Sequence, residues 1–252
     1  PGFSTSPIPL KELLKTLQIC PRNPIISISK LYSVTQIFRK VVCCMAIYAA
    51  VFSPTGTSRQ GAWSIATALG DAVLLDVTCA PAESRTFSPE DLVVFGAPVY
   101  GGRVFQGALE RLAPLQGNNT PCLVTVTYGN RDFDDALLEL TDFCREHGFA
   151  PFAGAALVGE HTYGSVQKGR PNAHDLDQDR AFALEAWEDL QAGWTDFAPP
   201  GNRPYKEGGK GGSFVPTTTE DCTHCGLCVR QCPMQAIAPD CAAIDPEKCI
   251  SC

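Results

Sequence analysis

From Met45 onward the chain alternates between short apolar runs and longer stretches of helical period. MAIYAAVF (Met45 to Phe52) reads as a buried strand, and SPTGTSRQ leads from it into a helix through Leu69. AVLLDVT (Ala72 to Thr78), DLVVFGAPVY (Asp91 to Tyr100), PCLVTVTYGN (Pro121 to Asn130) and FAGAALVGE (Phe152 to Glu160) repeat the strand signature. Between them lie a helix from Phe105 to Leu112 and an acidic-capped helix in DFDDALLELTDFCREHG, ending at Gly148. HDLDQDRAFALEAWEDLQAG is the last helix. Near-continuous apolar strands interleaved with amphipathic helices predict an α/β fold, a doubly wound parallel sheet of five strands covered on both faces.

The flanks differ. Residues 1–44 are mixed, with KELLKTLQI the one helical-looking stretch, and read as an N-terminal extension. The sheet domain is expected over 45–194. Residues 195–216 (TDFAPPGNRPYKEGGKGGSFVP is its core text) are rich in Pro and Gly and predict a linker. It is long enough to let a small module at 217–252 sit against the main domain or swing away.

Composition narrows the classes. A net charge of −7 over 252 residues argues against a general nucleic-acid binder. The longest apolar run, Val41 to Phe52, is too short to span a bilayer, and no signal-peptide pattern follows Pro1. Of 13 cysteines, seven lie between Cys222 and Cys252. A large apolar region followed by a cysteine-dense tail reads as a cytoplasmic protein with a metal module, not a disulfide scaffold.

Three strand ends carry candidate chemistry. Ser53, Thr55, Gly56, Thr57 and Ser58 form a hydroxyl- and Gly-rich turn between strand and helix, a place where backbone N–H groups face an anion. No Lys follows the Gly as an ATPase loop requires, so neutral donors suited to a terminal phosphate ester are expected; simple helix capping is the competing reading. GAPVYGGR and TYGNRD combine an aromatic with small residues, which lets backbone approach a flat ring while Tyr100 or Tyr128 stacks on it. In a doubly wound sheet, ligands sit at these carboxyl ends. His161 and Tyr163, after the fifth strand, could reach the rim, though a hydrogen-bonded anchor is the expected role of His161.

Cys222, Cys225, Cys228 and Cys232 follow C-x2-C-x2-C-x3-C-P, the spacing of bacterial 4Fe–4S ligands. Zinc sites more often pair two separated C-x2-C hairpins. In two-cluster ferredoxins the fourth cysteine of each run serves the other cluster. That rule places Cys222, Cys225 and Cys228 on one cluster and Cys232 with Cys249 and Cys252 on a second. KCISC is then the first half of another such run, and the chain is expected to continue with the missing ligands. Cys241 is the spare, expected to be an ordinary turn cysteine, with a substitute ligand as the alternative; His224 is expected to be a solvent-side or sulfur-neighbouring residue and not a ligand.

SPTGTS resembles the phosphate loop of flavodoxins, and GAPVYGG and TYGNR resemble their two ring-flanking loops, over about Met45 to Ala192. The resemblance implies a flavodoxin-like strand order 2-1-3-4-5 and FMN. It carries the phosphate to residues 53 and 55–58, and the ring to Pro98, Val99, Tyr100, Gly101, Tyr128, Gly129 and Asn130. Joined to a small α+β module like that of bacterial ferredoxins, the chain is similar to the EFR-type ferredoxin fusions, found mainly in anaerobes. The function so implied is electron transfer between FMN and 4Fe–4S clusters, two in the full-length protein, with redox proteins as partners. A flavin reductase of a quinone or nitro compound, fed by the clusters, is the alternative, and a docking module without FMN is a third. No catalytic acid–base pair or activated nucleophile stands out.

Overall fold

A computed structural model describes residues 45–209 and 214–252. The helix expected in KELLKTLQI lies outside the described residues. Five strands form the parallel sheet: β1 (Ile47–Val51), β2 (Ala72–Asp76), β4 (Leu92–Tyr100), β7 (Thr120–Tyr128) and β8 (Phe149–Val158). They lie in the order β2-β1-β4-β7-β8, all neighbours parallel. Counted in chain order this is 2-1-3-4-5, a flavodoxin-like sheet. Its helices are α1 (Thr57–Leu69), α2 (Gln106–Leu112), α3 (Ala136–Glu146) and α4 (Ala173–Gln191).

Three short strands were not legible in the apolar pattern. β3 (Arg85–Phe87) and β6 (Leu115–Gly117) make a small parallel ladder of their own, and β5 (Arg103–Val104) folds back on β4. Such two- and three-residue strands hold too few side chains to show a period.

The central strands are buried as the continuous apolar text requires. Ala49, Ala50, Val51, Val93, Val94 and Phe95 have no accessible surface. Helix α1 lies close on β4 because the contact is built from small residues: a Cβ on Gly96 would stand 2.8 Å from that of Ala62. The edge strand β2 departs from two-sided burial, with Val73 51% and Leu74 37% exposed. Helix α4 starts on a capping box, in which the Asn172 side chain accepts from the Asp175 N–H and Asp175 returns the bond to the Asn172 N–H.

The acidic cap of α3 works differently from the expected helix cap. Asp135 occupies the N-cap position but makes no side-chain bond to its own helix. Its carboxylate instead receives the N–H groups of Asn202 and Lys206, at 2.7 and 2.8 Å. The segment expected as a linker is therefore tied along the sheet domain. Gly209 N–H also donates to the Tyr100 carbonyl at 2.9 Å, and Arg203 pairs with Asp142.

The cysteine-rich tail has little regular structure: α5 (Leu227–Gln231), five residues long, and one bridge between Ile237 and Ile244. Residues 46–252 form one compact unit. Among the described residues no helix is long and apolar enough to cross a membrane.

Candidate functional site

Strands β1, β4 and β7 end side by side. Val51 is registered with Gly96 and Pro98 with Thr127, so the loops 53–58, 98–101 and 128–130 emerge at one edge. The first loop is a turn around Gly56, whose φ of 85° is left-handed and open to glycine without strain. Gly56 N–H closes on the Ser53 carbonyl at 3.1 Å, and the Ser53 hydroxyl accepts the Arg59 N–H at 3.0 Å. Ser53 N–H donates to Thr78 Oγ1 at 2.8 Å. The N–H groups of Thr55, Thr57 and Ser58 bond to no other described residue. The Thr55 and Thr57 hydroxyls lie 3.1 Å apart. An anion carrying terminal oxygens fits this set of unspent donors at the start of α1.

The second loop turns at Gly101 and Gly102, with φ of 61° and 84°. Tyr100 is half-buried, its ring 5.2 Å from that of Phe105. In the third loop Tyr128 meets Phe133 edge-on at 5.5 Å, and Asn130 takes a left-handed φ of 62°. Gly129 is required by a close approach, since a Cβ there would collide with the His161 ring. His161 is a loop anchor: its Nδ1 accepts the Tyr163 N–H at 3.0 Å and its own N–H bonds the Val166 carbonyl at 3.0 Å. Polar donors at one end and aromatic, small-residue loops at the other fit an FMN-shaped group.

One buried hydroxyl beside this edge is unspent. Thr127 Oγ1 is the buried side-chain oxygen without a partner among the described residues. It faces a cavity of about 140 Å³ shared with Thr57, Arg170, Asp175 and Asp179. Arg170 pairs with Asp175, which holds that carboxyl below its usual range. Asp179 has no such partner, and burial pushes it up to about 6. A larger hollow of about 490 Å³, lined by Asp142, Arg145 and Tyr205, lies away from the three loops.

In the tail the cysteines fall into two neighbourhoods. Burial raises the Cys252 thiol, and Cys232 and Cys249 add to the effect through their proximity. Cys232 Sγ accepts the Ala236 N–H at 3.2 Å and Cys249 Sγ the Ser251 N–H at 3.4 Å. Such N–H···S bonds stabilise thiolate ligands and tune a cluster's potential. On the other side, Cys225 is lowered, chiefly by the Leu227 N–H, as a helix start does to a thiol. Buried Cys241 sits in the Ala238–Ala243 turn with its sulfur 3.7 Å from that of Cys228, closer to the ligand run than its expected role implied. His224 is exposed, its Nδ1 2.7 Å from the Asp240 carbonyl oxygen. Among the described residues no three His, Cys, Asp or Glu side chains converge on a single ion. A four-iron cluster spreads its thiolates over separate irons, and the C-x2-C-x2-C-x3-C-P donor set fits such a cluster.

The tail packs on the sheet domain at the edge that carries the loops. Ile250, between Cys249 and Cys252, is 6% exposed and belongs to the same core cluster as Phe52, Phe95 and Phe105. Met234 and Tyr100 pack against that cluster. The Tyr100 hydroxyl is raised, by burial first and then by the nearby Cys252, Tyr163 and Cys249. Arg111 donates to the Thr78 carbonyl and, at 2.6 Å, to the Pro233 carbonyl, with its guanidinium 5.4 Å above the Phe52 ring. Phe214 stacks edge-on with Tyr163 at 5.4 Å and accepts the Ser251 hydroxyl at its carbonyl. Arg111 and Ile250 carried no signal as site residues, because an arginine in the last turn of a helix and an isoleucine between cysteines are common.

Residues 215–238 match the family model described as "4Fe-4S binding domain". No curated protein matches the chain. Solved structures similar to it include flavodoxin 1 of Bacillus cereus, 14% identical, with 57% of this chain and 97% of that one covered and a TM-score of 0.42. The flavodoxin of Streptococcus pneumoniae TIGR4 is 17% identical over 58% and 99% of the two chains, TM-score 0.37. A WrbA-like flavodoxin of Agrobacterium tumefaciens is 15% identical over 58% and 98%, TM-score 0.37. With its own strand order and the matched segment together, the chain joins a flavodoxin-like α/β fold to a 4Fe–4S binding domain.

Proposed function

We propose that the protein moves electrons between FMN, held at the carboxyl edge of its sheet, and 4Fe–4S clusters held by its tail. The observation that carries this reading is the packing of the cysteine-bearing tail onto the edge where the three loops converge, through Ile250 and Arg111. Electron transfer needs short distances more than reactive side chains, and the protein's part is position, orientation and exclusion of water. When bound, FMN exchanges one or two electrons and each cluster exchanges one.

The residues divide the work. Thr55, Thr57 and Ser58 offer backbone and hydroxyl donors to the phosphate, Gly56 makes the left-handed turn that aims them, and Ser53 holds the turn in shape through Thr78 and Arg59. Pro98, Val99, Tyr100 and Gly101 on one side and Tyr128, Gly129 and Asn130 on the other would flank the ring. Cys222, Cys225 and Cys228 would hold one cluster, with Cys232, Cys249 and Cys252 on the second. A redox protein would be the partner that gives or takes the electrons. An anaerobic absorption spectrum with extracted flavin and iron counts tests the reading. About one FMN and about eight irons per protein would support it; iron without flavin would sink it and leave a cluster module fused to a binding domain.

A further inference from the structure

The two cysteine neighbourhoods are not equivalent in their surroundings. The run holding Cys249 and Cys252 is pinned: Ile250 is 6% and Ser251 8% exposed, and Ile250 enters the core cluster to which Phe52 and Phe105 contribute. Both aromatics sit where β1 and β4 deliver their loops. Cys232 is fixed from its other side, because its neighbour Pro233 is bonded by Arg111 and Met234 packs on the same core. The run holding Cys225 and Cys228 faces outward, with Leu227 49% exposed and none of the α5 residues buried.

Arg111 also closes a line of contacts back to the phosphate loop. It bonds the Thr78 carbonyl, and the Thr78 hydroxyl accepts the Ser53 N–H. One side chain therefore reaches the segment carrying Cys232 directly, and the loop expected to hold the phosphate through Thr78.

We infer that the tail is docked with Cys232, Cys249 and Cys252 on the Tyr100 side, that Arg111 is the positioning residue of this dock, and that Cys222, Cys225 and Cys228 form the set presented to a partner. The inference rests on the proposed electron-transfer reading and adds its direction. Electrons would enter or leave at the outward set from a one-electron carrier protein and cross to the flavin loops through the Tyr100-side set. Each passage shifts one electron and makes or breaks no bond.

The dock can be tested without measuring turnover. The full protein, reconstituted anaerobically with iron and sulfide, is labelled with 3-fluorotyrosine and observed by fluorine NMR. Tyr100 and Tyr48 signals are assigned by their Phe variants. Tyr48 lies near the opposite end of β1 and serves as the internal reference. The paramagnetism of a cluster at Cys232, Cys249 and Cys252 should broaden Tyr100 several-fold relative to Tyr48. The broadening should persist in a C222S/C225S variant and disappear in C249S/C252S. Arg111→Ala should narrow Tyr100 while iron content stays unchanged, and this variant leaves every ligand in place should the cysteine variants fold poorly. A Tyr100 signal as sharp as Tyr48 in the iron-loaded wild type overturns the dock, as does broadening lost only in C222S/C225S. Broadening at Tyr100 in protein that takes up no FMN supports the dock while sinking the electron-transfer reading. Protein that takes up no iron overturns both.

Discussion

Asp135 accepts the backbone N–H of Lys206 at 2.8 Å, across 71 residues of chain. The same carboxylate takes the Asn202 N–H at 2.7 Å, and its pKa falls, chiefly through the Lys206 bond. A buried anion at a helix start thus fixes the segment that leads to the tail. Because the folded pKa lies below the unfolded one, the clamp is fully present above the ordinary carboxylate pKa and is lost as pH falls through the lower folded value. Asp135→Ala should speed limited proteolysis within 195–209 by about tenfold or more near neutral pH, since hydrogen bonds to a charged group are worth about 1.5–3 kcal/mol. Unchanged cleavage would mean that the segment is held by something else.

Glu139 should be more costly to alter. It receives both Arg103 Nε, at 2.8 Å, and the Val104 N–H, at 2.8 Å, and is 6% exposed. Arg103 in turn lies over the Tyr205 ring at 4.5 Å. Glu139→Ala leaves the guanidinium unpaired beneath the segment and should destabilise by about 3–5 kcal/mol in denaturant unfolding. A loss below about 1 kcal/mol would place the pair among surface ion pairs.

Asp179 gives the opposite pH sign. Burial pushes its folded pKa up to about 6, above the ordinary aspartate value. Its contribution is therefore full below the unfolded pKa and is lost as pH rises through the folded one. Asp179→Asn should be more stable than wild type at pH 8, by on the order of 1 kcal/mol after allowance for solvent screening, and should lose that advantage at pH 4. Thermal melts at the two pH values check this, and a constant difference would refute the assignment.

The sheet was legible because its chemistry is local. MAIYAAVF, LVVFGAPVY and TVTY are buried on both faces, and a continuous apolar run says so directly. The position of the loops at their ends was legible because glycines and hydroxyl residues close each apolar run. What was hidden depends on distant partners. Arg111 reads as a last-turn cation of a surface helix, yet its acceptor Pro233 is 122 residues on. Residues 195–209 read as a linker because Pro and Gly break periodicity, but their backbone N–H groups find acceptors on α3 and β4 that no local pattern reveals. Leu74 shows the converse error: its apolar run predicts burial, but β2 is an edge strand.

The phosphate loop offers a fourth test. Ser53→Ala removes the acceptor of the Arg59 N–H and should cost about 1 kcal/mol, as loss of a helix-start acceptor does. It should also weaken FMN binding by about tenfold, because the donors of Thr55, Thr57 and Ser58 lose their shared framework. Titration of apoprotein with FMN measures this; equal affinity would remove Ser53 from the site.

The most direct measurement is the passage of an electron inside one molecule. In protein loaded with both cofactors, a brief anaerobic pulse reduces the clusters, and absorbance follows their reoxidation together with flavin reduction. A first-order exchange whose rate does not depend on protein concentration is the expected result. A rate that rises in proportion to concentration, or clusters that stay reduced beside oxidised flavin, would contradict the account.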